Sequence, residues 1–334
     1  MKKFFVMMLA AAAMASCSTS EVEFDNPKEI GFTAVANNIS RVVVDGTVYP
    51  TSLGMYVYAW TTDNAEADAN YIINGKFKHK KENIWGGETP YYWPNVKTLH
   101  FAGYSASGNV SSATVAYNCT ADQLSITGYE PGTSSEPGAN DLMYFPSTKT
   151  SQTAGYGKET TSVPVNMYHT CSWITFKVKG DAVTGADGST YQVTGLQITG
   201  VDQTANVTCG ALNDGVPSIA WSENTTQTET YSVTLNPALG KLTTTATNVE
   251  ASNNIVLIPQ TPGKLTLTYT YKSPAGQTIE ETKNDIALKL DDANSNWAPG
   301  KHYTYIITIK ANEILIAPSA EDWADQNDKD ITVE

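Results

Sequence analysis

Strict alternation of side chains is the feature of this sequence that most constrains its fold. In residues 173–178, 264–271 and 302–309, apolar side chains occupy every second position, with mostly threonine or lysine between them. This period of two is typical of a strand with one buried face, because successive side chains of a strand point to opposite sides of the sheet. Gly- and Pro-containing turns separate these segments, and no mature segment shows a clear helical period. The sequence therefore predicts an all-β fold of β-sandwich type.

The length of 334 residues suits two ordinary domains or one large β-domain. Beyond residue 163 the strands become longer and more regular, after a polar stretch over 147–161. We therefore predict an N-terminal sandwich over residues 28–160 and a C-terminal sandwich over residues 161–334. Other strands are predicted over residues 29–36, 54–60, 71–79, 98–104, 113–118, 123–126 and 141–145.

Charge argues against nucleic acid as a partner. The chain has 21 Lys and Arg residues against 34 Asp and Glu residues, a formal net charge of −13. An acidic surface repels phosphate backbones. We expect no nucleic-acid partner.

Catalytic motifs are absent from the sequence. The four histidines form no His-Glu-x-x-His array, and residues 103–107 miss the last glycine of a Gly-x-Ser-x-Gly elbow. No phosphate loop or dinucleotide fingerprint is found. The sequence predicts that the chain is not an enzyme and has no cofactor or metal site.

The amino terminus reads as a targeting segment. Lys2 and Lys3 precede an apolar run over residues 4–13 that is too short to span a bilayer. The sequence Met14-Ala15-Ser16-Cys17 resembles a bacterial lipobox, in which small residues precede the cysteine that receives the lipid. We predict a signal peptide over residues 1–16, cleavage between Ser16 and Cys17, and a lipidated tether over residues 17–27. The alternative is an ordinary secretory signal with an incidental cysteine.

The sequence contains three other cysteines, Cys119, Cys171 and Cys209. An odd number does not make a disulfide framework, and no two of them have metal-ligand spacing. We expect buried, unreactive thiols.

Residues 28–41 form a strand-and-loop unit at the start of the mature chain. Ile30, Phe32 and Ala34 share one strand face, and the polar residues 37–40 lead to Arg41, the only arginine in the sequence. On its own, an arginine in a loop is most simply a solvated charge.

Six segments in order resemble the fimbrillin family, lipoprotein precursors of type V pili in Bacteroidetes. They lie behind the lipobox and together extend over nearly the whole mature chain. They are Tyr-Tyr-Trp-Pro at 91–94, Asp-Leu-Met at 141–143, residues 163–178, Val-Leu-Ile-Pro-Gln-Thr at 256–261, residues 297–305, and Ile-Leu-Ile-Ala-Pro at 314–318 followed by Glu-Asp-Trp at 321–323.

The resemblance implies two transthyretin-like β-sandwich domains in tandem and assembly by strand exchange. A surface-exposed outer-membrane lipoprotein, held by acyl chains on Cys17, would be cut after Arg41 by an arginine-specific protease. The strand that carries Ile30, Phe32 and Ala34 would leave, and a strand of the next subunit would replace it. The implied partners are other pilin subunits, both copies of this chain and tip or anchor subunits. Host or bacterial surface ligands would follow from a role in adhesion.

Two segments qualify as the donated strand. Ile314 and Ile316 share a face within residues 313–317, and Ile331 and Val333 share a face within residues 330–334. The sequence alone does not choose between them.

Two other functions remain open at this point. The first is that of a surface glycan-binding lipoprotein, which acts as a monomer and stacks sugars on exposed aromatic side chains; Tyr91, Tyr92 and Trp93 are then the cluster of interest. The second is that of a tip or anchor component that does not polymerise.

Overall fold

The computed structural model describes residues 28–36, 49–61, 73–93, 98–131, 141–151, 162–181, 187–222, 229–237, 239–251, 255–290, 295–310 and 314–322. In this part of the chain the only helical segment is a 3-10 turn, Gly108–Ser112, and no helix has the length and hydropathy of a membrane span.

Twenty strands make up the described part of the fold. The first ten are β1 (Gly31–Ala36), β2 (Met55–Thr61), β3 (Ile73–Lys81), β4 (Ile84–Gly87), β5 (Thr98–Ser105), β6 (Thr114–Asn118), β7 (Gln123–Tyr129), β8 (Met143–Ser151), β9 (Ser162–His169) and β10 (Ser172–Gly180). The second ten are β11 (Thr190–Val201), β12 (Ala205–Asn213), β13 (Val216–Trp221), β14 (Glu229–Ser232), β15 (Thr247–Asn248), β16 (Ile255–Leu257), β17 (Lys264–Lys272), β18 (Thr278–Ala287), β19 (Lys301–Ile309) and β20 (Ile314–Asp322). The all-β prediction is confirmed.

Seven strands close into one continuous sheet in the order β1-β4-β3-β2-β5-β8-β9, with β9 pairing back to β1. Apolar side chains from all of these strands fill its interior. β2 is apolar along its whole length because its alternate residues face two different cores: Val57 points into the closed sheet, and Tyr58 points to the outside.

A second sheet, β13-β12-β7-β6, packs against the outside of the closed sheet. Aromatic pairs fill the space between them, including Tyr58 with Tyr117, whose rings stack at 5.3 Å. β12 and β13 come after residue 160, yet β12 pairs with β7. A division of the chain at residue 160 would therefore cut this sheet into two pairs of strands.

The carboxy-terminal part is a sandwich of two sheets. One has the order β15-β10-β19-β20, with β16 also paired to β10, and the other has the order β14-β11-β17-β18. Their facing sides enclose one core, in which the indole N–H of Trp297 donates to the hydroxyl of Tyr305 at 2.9 Å. Trp297 is fully buried in this core.

Candidate functional site: the strand that closes the sheet

β1 lies between two strands that are far from it in sequence. Along one edge it pairs in parallel with β9 through six residue pairs, from Gly31 opposite Ser162 to Ala36 opposite Met167. Along the other edge, Gly31 and Phe32 pair antiparallel with β4. β1 is therefore the strand that closes the sheet.

The residues just before β1 extend this pairing. The amide of Ile30 donates to the carbonyl of Tyr91 at 2.7 Å, and the amide of Trp93 donates to the carbonyl of Lys28 at 3.1 Å. Together β1 and these residues fill a slot that has β9 on one side and β4 with residues 91–93 on the other.

Phe32 is the central side chain of the slot. It is fully buried, and its ring meets the rings of Phe77 at 5.0 Å and Phe101 at 5.3 Å, both edge to face. Phe145 lies at 6.1 Å. These partners come from β3, β5 and β8, so one side chain of β1 contacts three other strands of the closed sheet.

The other inward side chains of β1 are smaller. Ile30, Ala34 and Ala36 are all buried, which confirms the predicted alternation of this strand. Phe145 has room beside Phe32 because Gly103 lies under its ring: a Cβ at Gly103 would come within 2.5 Å of Phe145 Cε1. The slot thus has two deep positions, at Ile30 and Phe32, followed by two shallow ones.

One connection joins β1 to the rest of the sheet in sequence. Residues 37–48 lie between Ala36 and Tyr49, whose amide returns to donate to the carbonyl of Ala34 at 3.4 Å. Arg41 falls in this connection, outside the described residues. Because no short hairpin joins β1 to either neighbour, one break in 37–48 would leave β1 held only by non-covalent contacts.

β9 depends on β1 for its place in the sheet. In the described residues, β8 pairs with β9 only at Tyr168 and His169. Further along, the two strands separate around a cavity of about 490 Å³ that Pro146 and Pro164 help to line, and a proline has no backbone N–H to donate to a ladder. Loss of β1 would therefore remove the main backbone partner of residues 162–167.

A buried polar clasp fixes the short β8–β9 junction. His169 Nδ1 contacts Asp141 Oδ2, and both side chains are buried. The Thr170 amide and hydroxyl both donate to the carbonyl of Leu142, at 2.9 Å and 2.8 Å. His169 thus has a structural role, and it marks the end of β9 that pairs with β8.

A known protein family matches most of this chain. A family model described as fimbrillin-like matches residues 41–323. The chain belongs to the fimbrillin-like family. This is a family of structural fimbrial proteins, which confirms that the chain is a pilus component and not an enzyme. β1 lies ahead of the matched residues, and the match begins at Arg41. No curated protein matches the chain.

Several solved structures are similar to this fimbrillin-like chain. A fimbrial protein from Bacteroides vulgatus has 16% sequence identity and a TM-score of 0.60, covering 89% of this chain and 99% of that one. A candidate cell adhesion protein from Bacteroides ovatus has 15% identity and a TM-score of 0.49, covering 90% and 99%. At these identities the first likeness supports the fold alone.

The two donor candidates of the fimbrillin-like chain have different positions. Residues 314–317 form the first part of β20, which pairs antiparallel with β19 at the edge of the C-terminal sandwich. Ile314 is half-buried and packs against the C-terminal core, and Ile316 stands opposite Ile307 in the same ladder. Ile331 and Val333 lie outside the described residues, as do Ser16 and Cys17.

The aromatic cluster considered for glycan binding is divided between core and surface. Tyr91 stacks on Phe77 with ring centroids 5.7 Å apart, and Trp93 is only 5% exposed. Tyr92 alone, at 53% exposure, faces solvent. The three rings therefore do not form a shared stacking platform.

The three cysteines of the described chain are buried and outside any disulfide, as predicted. Burial raises the pKa of the Cys171 and Cys209 thiols well above their usual range, and a protonated thiol is a poor nucleophile. Within the described ranges, no three His, Cys, Asp or Glu side chains come together as metal ligands.

Proposed function

We propose that this chain is a polymerising fimbrial subunit whose first strand occupies its slot only temporarily. The position of β1 carries the proposal: it closes the sheet, it places Phe32 in the centre of the core, and a single connection containing Arg41 joins it to the sheet in sequence. A cut after Arg41 frees β1, and a strand of the next subunit takes its place.

The energetics require a replacement. Burial of Ile30 and Phe32 stabilises the fold by about 1.5–3 kcal/mol each, and each backbone hydrogen bond of the ladder adds about 1 kcal/mol. An emptied slot exposes two unpaired strand edges beside an apolar cleft, the arrangement that captures an extended peptide by β-augmentation. A second copy of the chain supplies such a peptide.

Export and activation are linked in this proposal. The signal peptide is removed between Ser16 and Cys17, and acyl chains on Cys17 hold the precursor at the outer membrane. Cys17 and β1 both precede Arg41. The same cut therefore separates the subunit from its lipid anchor and opens its slot, so that only released subunits accept a neighbour.

We assign the donated strand to residues 330–334. The sequence Lys-Asp-Ile-Thr-Val at 329–333 repeats the pattern of Lys-Glu-Ile-Gly-Phe at 28–32: lysine, acid, isoleucine, a small residue, and an apolar residue. In the same direction as β1, Ile331 would enter the pocket of Ile30 and Val333 that of Phe32. Residues 313–317 carry a similar Glu-Ile-Leu-Ile pattern, but they already pair with β19.

An arginine-specific protease tests the proposal, because the chain offers it a single site. We expect the cut precursor, expressed without its lipid, to form a ladder of oligomers that survives unheated detergent. Arg41→Ala stays monomeric, and Ile331→Asp is cut normally without forming a ladder, because a carboxylate cannot enter an apolar pocket. Gel electrophoresis without heating reads out all three proteins.

The same gel distinguishes the alternatives. If Ile316→Asp blocked ladder formation and Ile331→Asp did not, the donated strand would be residues 313–317. A wild-type protein that is cut after Arg41, loses β1 and stays monomeric at all concentrations would contradict polymerisation and favour a tip or anchor role.

A further inference from the structure

A row of lysines runs along the outer face of β3. Phe77 points into the core of the closed sheet, and Lys76, Lys78 and Lys80 alternate with the inward residues and are exposed, followed by exposed Lys81. We call these four residues the lysine face. They are one-fifth of the 20 lysines in a chain whose single arginine is Arg41.

The lysine face has little charge compensation. In the described part of the chain, no carboxylate lies within ion-pair distance of its four ammonium groups. The neighbouring acids are Glu29, Glu82 and Glu88, which are surface residues at the ends of β1, β3 and β4. A concentrated positive face on a chain of net charge −13 is a site for an acidic partner.

The lysine face continues into a groove beside the slot. The groove has a volume of about 490 Å³ and is lined by Lys80 and Lys81, by Ile84 and Gly86 of β4, and by residues 28–31. Lys80 crosses β4 above Gly86, since a Cβ there would meet Lys80 Cε at 3.0 Å and Glu29 Oε1 at 3.3 Å. The groove therefore joins the lysine face to the strand that is proposed to leave.

An acidic segment of the chain matches this surface. Residues 323–334 follow β20 and carry four carboxylates, Asp325, Asp328, Asp330 and Glu334, against one lysine, Lys329. They also contain the donated strand assigned above. We call residues 323–334 the acidic tail.

We propose that the lysine face is an electrostatic docking surface for the acidic tail of a second copy of this chain. Docking holds the tail beside the slot before strand exchange, so that exchange starts from a preformed encounter complex. Charge complementarity of this kind accelerates association and orients the partner more than it adds affinity. The inference rests on the proposed function for the choice of a second copy, but the surface itself is testable without polymerisation.

Glu29, just before β1, explains how docking leads to strand exchange. Glu29 lies over Gly86 beside Lys80 and leaves with β1. Asp330 is the residue that takes the place of Glu29 when Ile331 takes the place of Ile30. The incoming tail therefore brings a carboxylate to the position near Lys80 that Glu29 has left.

Charge reversal tests the surface in assembly. In the variant Lys76→Glu, Lys78→Glu, Lys80→Glu, we expect ladder formation after the Arg41 cut to slow by about tenfold at low salt. Added salt should slow the wild type towards the rate of the variant, since screening removes the attraction. A matched control, Lys241→Glu, Lys272→Glu, Lys289→Glu, reverses three exposed lysines of the C-terminal sandwich and should assemble at the wild-type rate.

A binding measurement separates this inference from the proposed function. The uncut Arg41→Ala protein keeps β1 in its slot, and a labelled peptide of residues 323–334 with Ile331→Ser and Val333→Ser cannot act as a slot anchor. We expect this peptide to bind weakly, with affinity that falls as salt rises and is lost in the lysine-face variant but not in the control variant. Fluorescence anisotropy measures it.

Each outcome has one meaning. Salt-dependent binding at the lysine face without any ladder from the cut wild type would sustain the docking surface and contradict polymerisation. Normal ladders with no peptide binding, or with binding that the lysine-face variant retains, would overturn the docking surface and leave polymerisation in place. Peptide binding that appears only after the protein's own residues 323–334 are deleted would assign the surface to its own tail and overturn the second-copy proposal.

Discussion

Glu250 is a buried carboxyl group in the C-terminal sandwich. It is 3% exposed and follows β15, where the chain turns away from β10. The Phe176 amide donates to its Oε2 at 3.3 Å, so the side chain supplies an acceptor to β10 where strand pairing is interrupted. Burial raises the pKa of Glu250 to about 7.

This shift makes stability depend on pH. In the unfolded chain a glutamate has a pKa of about 4.3, so the folded state binds the proton more tightly. The contribution of the Glu250 carboxyl group to stability is fully present below about pH 4.3 and is lost as pH rises through about 7, because the buried carboxylate is then charged.

Glu250→Gln tests the shift. The amide keeps the shape and an acceptor oxygen but carries no charge, so we expect the variant to be more stable than the wild type by about 2–3 kcal/mol at pH 8. At pH 4 the two should be equal. Urea unfolding at pH 4, 6 and 8 measures the difference, and Glu280→Gln, at an exposed position of β18, is the control with no expected effect. If the free energy of unfolding of the wild type and of Glu250→Gln changed with pH in the same way, the raised pKa of Glu250 would be contradicted.

At the scale of single elements, β1 should matter to the precursor and not to the polymer. Phe32→Ala empties the centre of the closed sheet, and we expect it to destabilise the uncut protein by about 3–5 kcal/mol. Under the proposed strand replacement, polymer assembled from cut subunits lacks β1, so its dissociation temperature in detergent should not change. Thr33→Ala, on the opposite face of β1, is the matched control.

Two measurements check this prediction: urea unfolding of the uncut protein and heating of the ladder. If Phe32→Ala lowered the dissociation temperature of the ladder to the same degree as the stability of the precursor, β1 would still be part of the polymer and strand replacement would be wrong.

The strands themselves were largely predictable from the sequence. Alternation located β1, β17 and β19 and the buried face of each, because a half-buried strand shows its period locally. β4 escaped prediction, since Gly86 and Gly87 leave too few apolar side chains to form a pattern. The prolines at 146 and 164 likewise gave no sign that they lie inside β8 and β9, where strand pairing is lost.

The neighbours of a strand were not predictable. Nothing local in residues 31–36 or 162–167 shows that they pair in parallel, because parallel strands are joined through long crossovers and the pairing depends on the whole sheet. From the sequence, the slot was therefore expected only because of the resemblance to the fimbrillin family. The strands that form its walls were identified only in the structure. The lysine face, in contrast, is readable in the alternation of residues 76–80.

At the scale of the whole molecule, the proposed cut after Arg41 would separate a discarded part from a retained part. The predicted lipid site at Cys17 and β1 precede Arg41, and the family match covers residues 41–323. The slot walls β4 and β9, the lysine face and the acidic tail all follow it. The retained part would thus contain both the proposed acceptor and the proposed donor, which is what a subunit with a neighbour on each side needs.

The way in which the sheets pack together was harder to predict than the all-β fold class. The hairpin β12–β13 joins β6 and β7 across the outside of the closed sheet, so that sheet draws on both predicted domains. Trp221 of this hairpin donates its indole N–H to the carbonyl of Thr170 at 2.7 Å, beside the clasp that holds β9. Such contacts between distant segments leave no periodic mark in a sequence.

The most direct test of temporary occupancy by β1 is the amino-terminal residue of the protein recovered from assembled surface fimbriae. Removal of residues up to Arg41 predicts Val42 at the amino terminus, with no lipid attached. Assembled fimbriae whose subunits still begin at an acylated Cys17 would show that β1 stays in its slot, and would contradict strand replacement.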